Sequence, residues 1–348
     1  MRAIVCHGKH DLRIETQLER KLAPDEVRVS VAYGGICGSD MHYFQRGGVG
    51  DFLIQEALIL GHEISGRVLE TGSAVSGLAP GIKAALNPSK PCLQCDRCRE
   101  GRSNLCSNMF FLGSAGRFPH VQGGFSEQLI LRQDQIIPVP DDTDLLKLSL
   151  AEPLSVGLHA VKRAGSLLGK KVIITGSGPI GLLTAQAALY CGAIEVVATD
   201  IQDHALQVAR EKVGVHRTVN AMTAPHDLES YAAGGGYFDI ALEASGSAPA
   251  LQSLFAYVRR GGRIVQVGML PPGMASIPVN QLQSREIDLI GAFRAHDEFA
   301  LAVELIVSGA IDVAPISSGI YALEESKLAF DLAGDRSKVV KLHIAINP

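Results

Sequence analysis

The chain has 348 residues, which at roughly 150 residues per domain suggests about two domains. Apolar residues make up 47% and charged residues 20%, a globular mix that argues against disorder. Lys plus Arg number 32 against 36 Asp plus Glu, a formal charge of −4 with no basic run, so binding to nucleic-acid phosphates is disfavoured. No apolar stretch is long enough for a membrane span, and the opening Met1-Arg2-Ala3-Ile4-Val5-Cys6-His7 runs straight into polar sequence. A cytoplasmic chain with no membrane contact is expected.

Up to about residue 153 the chain carries short β-like runs, such as 27–31 and 128–131, broken by Gly and Pro. Within this part, four of the seven cysteines (Cys92, Cys95, Cys98 and Cys106) form a C-x2-C-x2-C-x7-C cluster in a lobe of about 87–110. In a reducing compartment such a cluster reads as metal-binding before it reads as disulfides. Four thiolates complete a tetrahedral shell around one zinc ion, which makes a structural site. An iron–sulfur cluster is the rival, but the fourth cysteine stands seven residues on and lacks a following Pro. A nucleic-acid-binding zinc ribbon conflicts with the acidic balance.

Beyond Pro153 apolar strands alternate with helical stretches. The pattern predicts strands over 171–175, 195–200, 217–220, 238–244, 263–267 and 287–293, with helices clearest over 180–191 and 204–213. This alternation predicts a doubly wound parallel sheet covered on both faces. The last 55 or so residues offer one helix (298–307) and a β-like end (339–346), too little for a separate domain. The tail is therefore expected to return to the N-terminal part. That gives one domain from 1–153 and 291–348, and a second from 154–290.

Gly176-Ser177-Gly178-Pro179-Ile180-Gly181 follows an apolar strand and opens a helix, and the next strand ends in Asp200, 19 residues after the last glycine. This is the context of a dinucleotide-binding turn. Gly176 permits the tight turn, Gly178 the approach of pyrophosphate to the helix N-terminus at Pro179 and Ile180, and Gly181 the helix–strand contact. Asp200 would accept the ribose hydroxyls. No Arg or Lys stands at 201–205 to hold a 2′-phosphate, so NAD is favoured over NADP.

Cys37, His62 and Glu63 are a dispersed set that could bind zinc and leave a position open. Spacing alone does not show that they converge. A lone Cys commonly packs as a small hydrophobe, and a His-Glu pair is often surface chemistry.

Gly61-His62-Glu63-x2-Gly66-x5-Gly72-x2-Val75, the cysteine lobe and the dinucleotide turn together resemble the zinc alcohol dehydrogenases of the medium-chain dehydrogenase/reductase superfamily. The resemblance spans almost the whole chain. Cys37-Gly38-Ser39-Asp40-Met41-His42-Tyr43 and Ala151-Glu152-Pro153-Leu154-Ser155 resemble its polyol dehydrogenase branch. Asn87-Pro88-Ser89-Lys90-Pro91-Cys92, Phe111-Leu112-Gly113-Ser114-Ala115 and Phe118-Pro119-His120-Val121 are similar to the bacterial L-idonate 5-dehydrogenase group.

The resemblance implies a GroES-like, mostly β catalytic domain beside the Rossmann domain, and a zinc- and NAD-dependent dehydrogenase of a secondary alcohol. Catalytic zinc would sit on Cys37 and His62, with Glu63 or Glu152 completing the shell and Asp40 orienting the histidine. Ser39 would take the substrate proton and His42 would pass it on. Tyr43, Phe118 and Arg294 map to substrate positions, with Lys90, Arg117 and His120 as further cations for a substrate carboxylate. Val267, Gly268, Met269 and Phe293 map to the nicotinamide side. His159 reads as packing. Relatives are dimers or tetramers. The competing readings are a sorbitol or xylitol dehydrogenase, a quinone or enoyl reductase of the same fold, which typically lacks the Cys37/His62/Glu63 set and the cysteine lobe, and a non-catalytic, zinc-stabilised nucleotide sensor.

Overall fold

The computed structural model describes residues 1–348, and the chain divides into two compact units. The first holds Met1–Glu152, Phe299–Asp335 and Lys341–Pro348; the second holds Pro153–Glu298 and Arg336–Val340. No helix is long and apolar enough to cross a membrane.

The first unit is built on a seven-stranded sheet in the order Ile136–Pro138, Lys83–Leu86, Glu63–Thr71, Glu26–Gly35, Lys341–Ala345 and Ser317–Ala322, with Gln128–Arg132 also paired to Glu26–Gly35. The strand Glu26–Gly35 is central to it, pairing with Glu63–Thr71, Lys341–Ala345 and Gln128–Arg132. Val27, Val29 and Val31 are fully buried while Arg28 and Ser30 alternate with them, the period-2 pattern of a strand with one core face. Its far end delivers Ile36 and Cys37 to the start of the helix Gly38–Arg46. A small hairpin of Ser89–Lys90 and Phe110–Phe111 brackets the cysteine lobe.

The second unit is a six-stranded, wholly parallel sheet in the order Arg217–Asn220, Glu195–Asp200, Lys171–Thr175, Phe238–Glu243, Val258–Gln266 and Asp288–Gly291. This is the doubly wound order 3-2-1-4-5-6. Ile173, Val197, Val219, Phe238, Ala241 and Ile264 bury together with Leu254 and Phe255 of the helix Ala248–Tyr257. Helices cover both faces of such a sheet, so its strands read as continuous apolar runs.

Three expected boundaries move. The fifth strand starts at Val258, because Arg259-Arg260-Gly261-Gly262, which reads as a turn, continues an irregular pairing with the fourth strand. The sixth ends at Gly291, leaving Phe293 in the loop beyond it. The chain re-enters the first unit at Phe299 rather than 291. Glu298, only 3% exposed, is held in the second unit by Lys162 at 2.9 Å and His159 at 3.3 Å, both on the helix Ala151–Ala164. His159 thus does more than pack.

Candidate active site

The four lobe cysteines are free thiols whose sulfurs all lie within 4.8 Å of one another. Sγ separations are 3.6 Å for Cys95–Cys98, 3.9 Å for Cys95–Cys106 and 3.5 Å for Cys92–Cys106. Thiolates about 2.3 Å from a tetrahedral zinc lie about 3.8 Å apart, so the lobe fits one such ion. A cluster of several irons would need its sulfurs further apart. Backbone N–H groups of Cys98 and Ser107 pull the Cys95 thiol down to about 6, while burial and the neighbouring thiols push Cys98 up to about 12, the split of thiols that share protons at close range.

In the same unit the ligand atoms of Cys37, His62 and Glu63 also converge within 4.8 Å of one another. Sequence spacing could not show this. His62 is 4% exposed and packs tilted against Phe111, ring centroids 5.2 Å apart, and its buried Nδ1, on the side of Asp40, has no hydrogen-bond partner. Burial works against its proton, but Cys37 and Asp40 outweigh this and hold the imidazole up to about 10. Such a knot of negative charge around a buried ring suits a dication. Glu152, at the start of the helix Ala151–Ala164, adds its charge at His62 without joining the converging trio.

Asp40 acts differently from expectation. Its Oδ1 lies 3.8 Å from His62 Nδ1, beyond hydrogen-bond reach. Its direct partners are the backbone N–H of Cys37 at 2.9 Å and of Gly61 at 3.1 Å. Fully buried, it fixes the two segments that carry the ligands rather than the ring itself.

Sequence reasoning missed Lys341. Its ammonium, 2% exposed, donates to both carboxylate oxygens of Glu63 at 2.7 Å. The available signal was a lysine inside the apolar run Val339-Val340-Lys341-Leu342-His343-Ile344.

Ser39 and His42 stand three residues apart on the helix Gly38–Arg46, hence on one face, and both are half-buried. Tyr43 on that helix is 2% exposed, and its hydroxyl accepts the Ala115 N–H at 2.9 Å, which makes it an anchor for the 114–121 loop rather than a free substrate contact. Phe118, on that loop, is 66% exposed. His120 is buried and both its ring nitrogens are engaged within the protein: Nε2 lies 2.9 Å from the Gln55 N–H and Nδ1 lies 2.7 Å from Arg117 O. Arg117 stacks on Phe110 at 4.1 Å, with Lys90 5.9 Å from the same ring. Arg294, in the second unit, lies 4.9 Å over Phe293 and has a left-handed φ of 54°.

The glycine-rich turn of the second unit has the form a dinucleotide needs. Gly176 has φ +88°, and a Cβ there would strike Ser245; a Cβ on Gly181 would lie 1.7 Å from Gly176 O. Beside Gly178, the cap of the helix Pro179–Tyr190, a Cβ would meet nothing within 4 Å. That open space at a helix N-terminus is where a pyrophosphate fits. Asp200 closes the turn, accepting N–H bonds from Ser177 at 2.6 Å, Ile201 at 2.7 Å and Gln202 at 2.9 Å.

Glu243, also missed, is fully buried at the end of the fourth strand. Its carboxylate accepts from Ser245 N–H at 2.8 Å and Gln266 Nε2 at 2.5 Å, and its carbonyl takes the N–H of Val267 and Gly268, each at 2.8 Å. This pins Val267, Gly268 and Met269 beside the turn, at the switch point where such sheets bind ligands.

Two matches fix the class. Residues 23–141 match the alcohol dehydrogenase GroES-like domain and residues 179–308 match the zinc-binding dehydrogenase domain. The chain belongs to the zinc-binding alcohol and polyol dehydrogenases of the medium-chain superfamily, a family that implies zinc and a nicotinamide cofactor. Among its relatives, L-idonate 5-dehydrogenase (NAD(P)(+)) of Escherichia coli K12 is 40% identical across 91% of this chain and 90% of its own. The crystal structure of L-idonate 5-dehydrogenase from that species superposes with a TM-score of 0.94, at 37% identity over 99% of this chain and 97% of the other. Sorbitol dehydrogenase of Bacillus subtilis is 35% identical over 96% of this chain and 93% of its own.

Proposed function

We propose that this chain is a two-zinc, NAD-linked dehydrogenase that oxidises a secondary alcohol of a sugar acid, L-idonate to 5-keto-D-gluconate. The convergence of Cys37, His62 and Glu63 in one buried corner carries the dehydrogenase reading. The 40% identity to an L-idonate 5-dehydrogenase supports the substrate. A second reading, oxidation of sorbitol or xylitol, is favoured by the 35% identity to a sorbitol dehydrogenase over a larger share of the chain.

Cys37 and His62 would hold the catalytic zinc, with Glu63 or Glu152 as the carboxylate, and Cys92, Cys95, Cys98 and Cys106 would hold the structural one. Bound zinc supplies Lewis acidity that lowers the pKa of a substrate hydroxyl. Ser39 accepts the hydroxyl proton and His42 relays it towards solvent. A nicotinamide cofactor held by the second unit would supply the acceptor for the hydride leaving the alcohol carbon. The second unit would hold the cofactor, with Gly178 for the pyrophosphate, Asp200 for the ribose, and Val267, Gly268, Met269 and Phe293 for the nicotinamide side. With His120 engaged, Arg117, Lys90 and Arg294 remain as cations for a substrate carboxylate. The active form is a homodimer or homotetramer.

A panel of aldonates and polyols, assayed with NAD at the NADH absorbance, tests this reading. L-idonate should show the highest kcat/KM. A higher value for sorbitol or xylitol would transfer the assignment to the polyol reading, and no turnover of any secondary alcohol would overturn both.

A further inference from the structure

Lys341 has no part in the steps above, yet it occupies the corner that would hold the catalytic metal. Its ammonium donates to Glu63 Oε1 and Oε2, both at 2.7 Å, and to Ile36 O at 2.9 Å. Those three bonds use all three of its hydrogens. Ile36 directly precedes Cys37, and Glu63 directly follows His62. Asp40 grips the same two segments with the opposite charge, through the N–H groups of Cys37 and Gly61. A buried cation and a buried anion therefore fasten the ligand-bearing segments to one another. Charge balance alone would need only one Lys341–Glu63 bond. Here both oxygens are engaged equally, so any donation from Glu63 to a metal competes with the ammonium.

We propose that Lys341 is a positioning residue that sets how strongly Glu63 binds the catalytic metal. The inference rests on the reading that Cys37, His62 and Glu63 face zinc. While the ammonium holds both oxygens, Glu63 is a weak and exchangeable donor, and the metal keeps a side open for substrate. Without the ammonium, Glu63 is a full buried carboxylate whose only strong partner is the dication. Without the Glu63 charge, an unpaired ammonium faces the dication and repels it.

Zinc release from the purified holoenzyme to a chromogenic chelator reads this directly. The phase lost in Cys37→Ala marks the catalytic ion, apart from the four-cysteine ion. Lys341→Met should slow that phase at least about tenfold, and Glu63→Gln should speed it about tenfold or more, the scale of effect known for partners of metal ligands. Lys341→Arg, which keeps a paired cation, should stay near the unaltered rate. The double variant Lys341→Met/Glu63→Gln removes both charges and should return to within about threefold of the unaltered protein, the mark of coupled residues.

Unchanged or faster release in Lys341→Met would overturn the proposal. So would a double variant releasing zinc as fast as Glu63→Gln alone, and that comparison decides the matter if Lys341→Met does not fold. An unaltered protein that carries only the four-cysteine zinc would instead refute the underlying zinc reading, before any variant is made.

Discussion

The proposed preference for NAD rests on Asp200, whose surroundings make the choice one of charge. Three backbone N–H groups fix its carboxylate at the end of the strand Glu195–Asp200. NADP would bring a 2′-phosphate of nearly two negative charges to the place where NAD brings a hydroxyl. Like charges about 4 Å apart repel by roughly 4 kcal/mol at an effective dielectric of 20, and less near solvent. Residues 201–205 contain no Arg or Lys to offset this, and Arg210 on the following turns is the nearest in sequence. Even about 1.4 kcal/mol surviving screening is a tenfold preference. We therefore expect kcat/KM at least about tenfold higher with NAD. Asp200→Asn, which removes the charge and keeps one acceptor oxygen for the turn, should shrink the ratio. Equal kcat/KM with the two cofactors in the unaltered protein would refute this account.

The elements that carry the two metal sets differ in what depends on them. The lobe between Ser89–Lys90 and Phe110–Phe111 has short elements and few buried side chains, so a metal there would contribute folding free energy. Cys95→Ala should lower the thermal midpoint and the zinc content together. Cys37→Ala should abolish turnover and one zinc while leaving the midpoint within a few degrees, because the surrounding sheet folds without it. A Cys95→Ala protein as stable as the unaltered one would count against a structural site. A second tie joins Glu298 to the helix Ala151–Ala164. Burial pushes the Glu298 carboxyl up, but bonds from His159, Lys162 and backbone N–H groups outweigh it and hold the group well below the usual range. A depressed carboxylate stabilises the fold above its unfolded pKa and loses that contribution as pH falls through its folded value. The gap in midpoint between the unaltered protein and Glu298→Gln should therefore be full at pH 7.5 and narrower at pH 4; an unchanged gap would show that the charge plays no part. The elements themselves were largely legible in the sequence. Strands 171–175, 195–200 and 217–220 stand where the apolar runs predict, since a parallel sheet buried on both faces leaves an unbroken hydrophobic signal. The helix expected over 204–213 holds only to Val208, after which Ala209–Val213 widens into a π turn before Gly214. Within the site, motifs local in sequence could be read directly. The Lys341–Glu63 pair could not, because 278 residues separate its members and only the fold brings them together.

At the scale of the whole molecule, the first unit is finished by its last strand. Lys341–Ala345 lies between Glu26–Gly35 and Ser317–Ala322, so its loss would strip hydrogen-bond partners from both. Leu342, Ile344 and Ile346 are buried, and each fully buried aliphatic side chain is worth about 1.5–3 kcal/mol. Their sum, roughly 5–9 kcal/mol, is comparable to the entire stability of a typical domain. The same cut removes the Lys341 ammonium and leaves Glu63 as an uncompensated buried charge. A chain ending at Val340 should therefore fail to close the first unit, even though the second unit loses none of its own residues. Limited proteolysis of the truncated protein should cut first within 1–152, and zinc analysis should find the Cys37–His62 site empty. The parallel sheet of 153–298, which depends on none of the deleted residues, should resist longer. A truncated chain that kept full zinc and the protease resistance of the intact protein would show that the first unit closes without its last strand, and that Lys341 is not needed to assemble the metal corner.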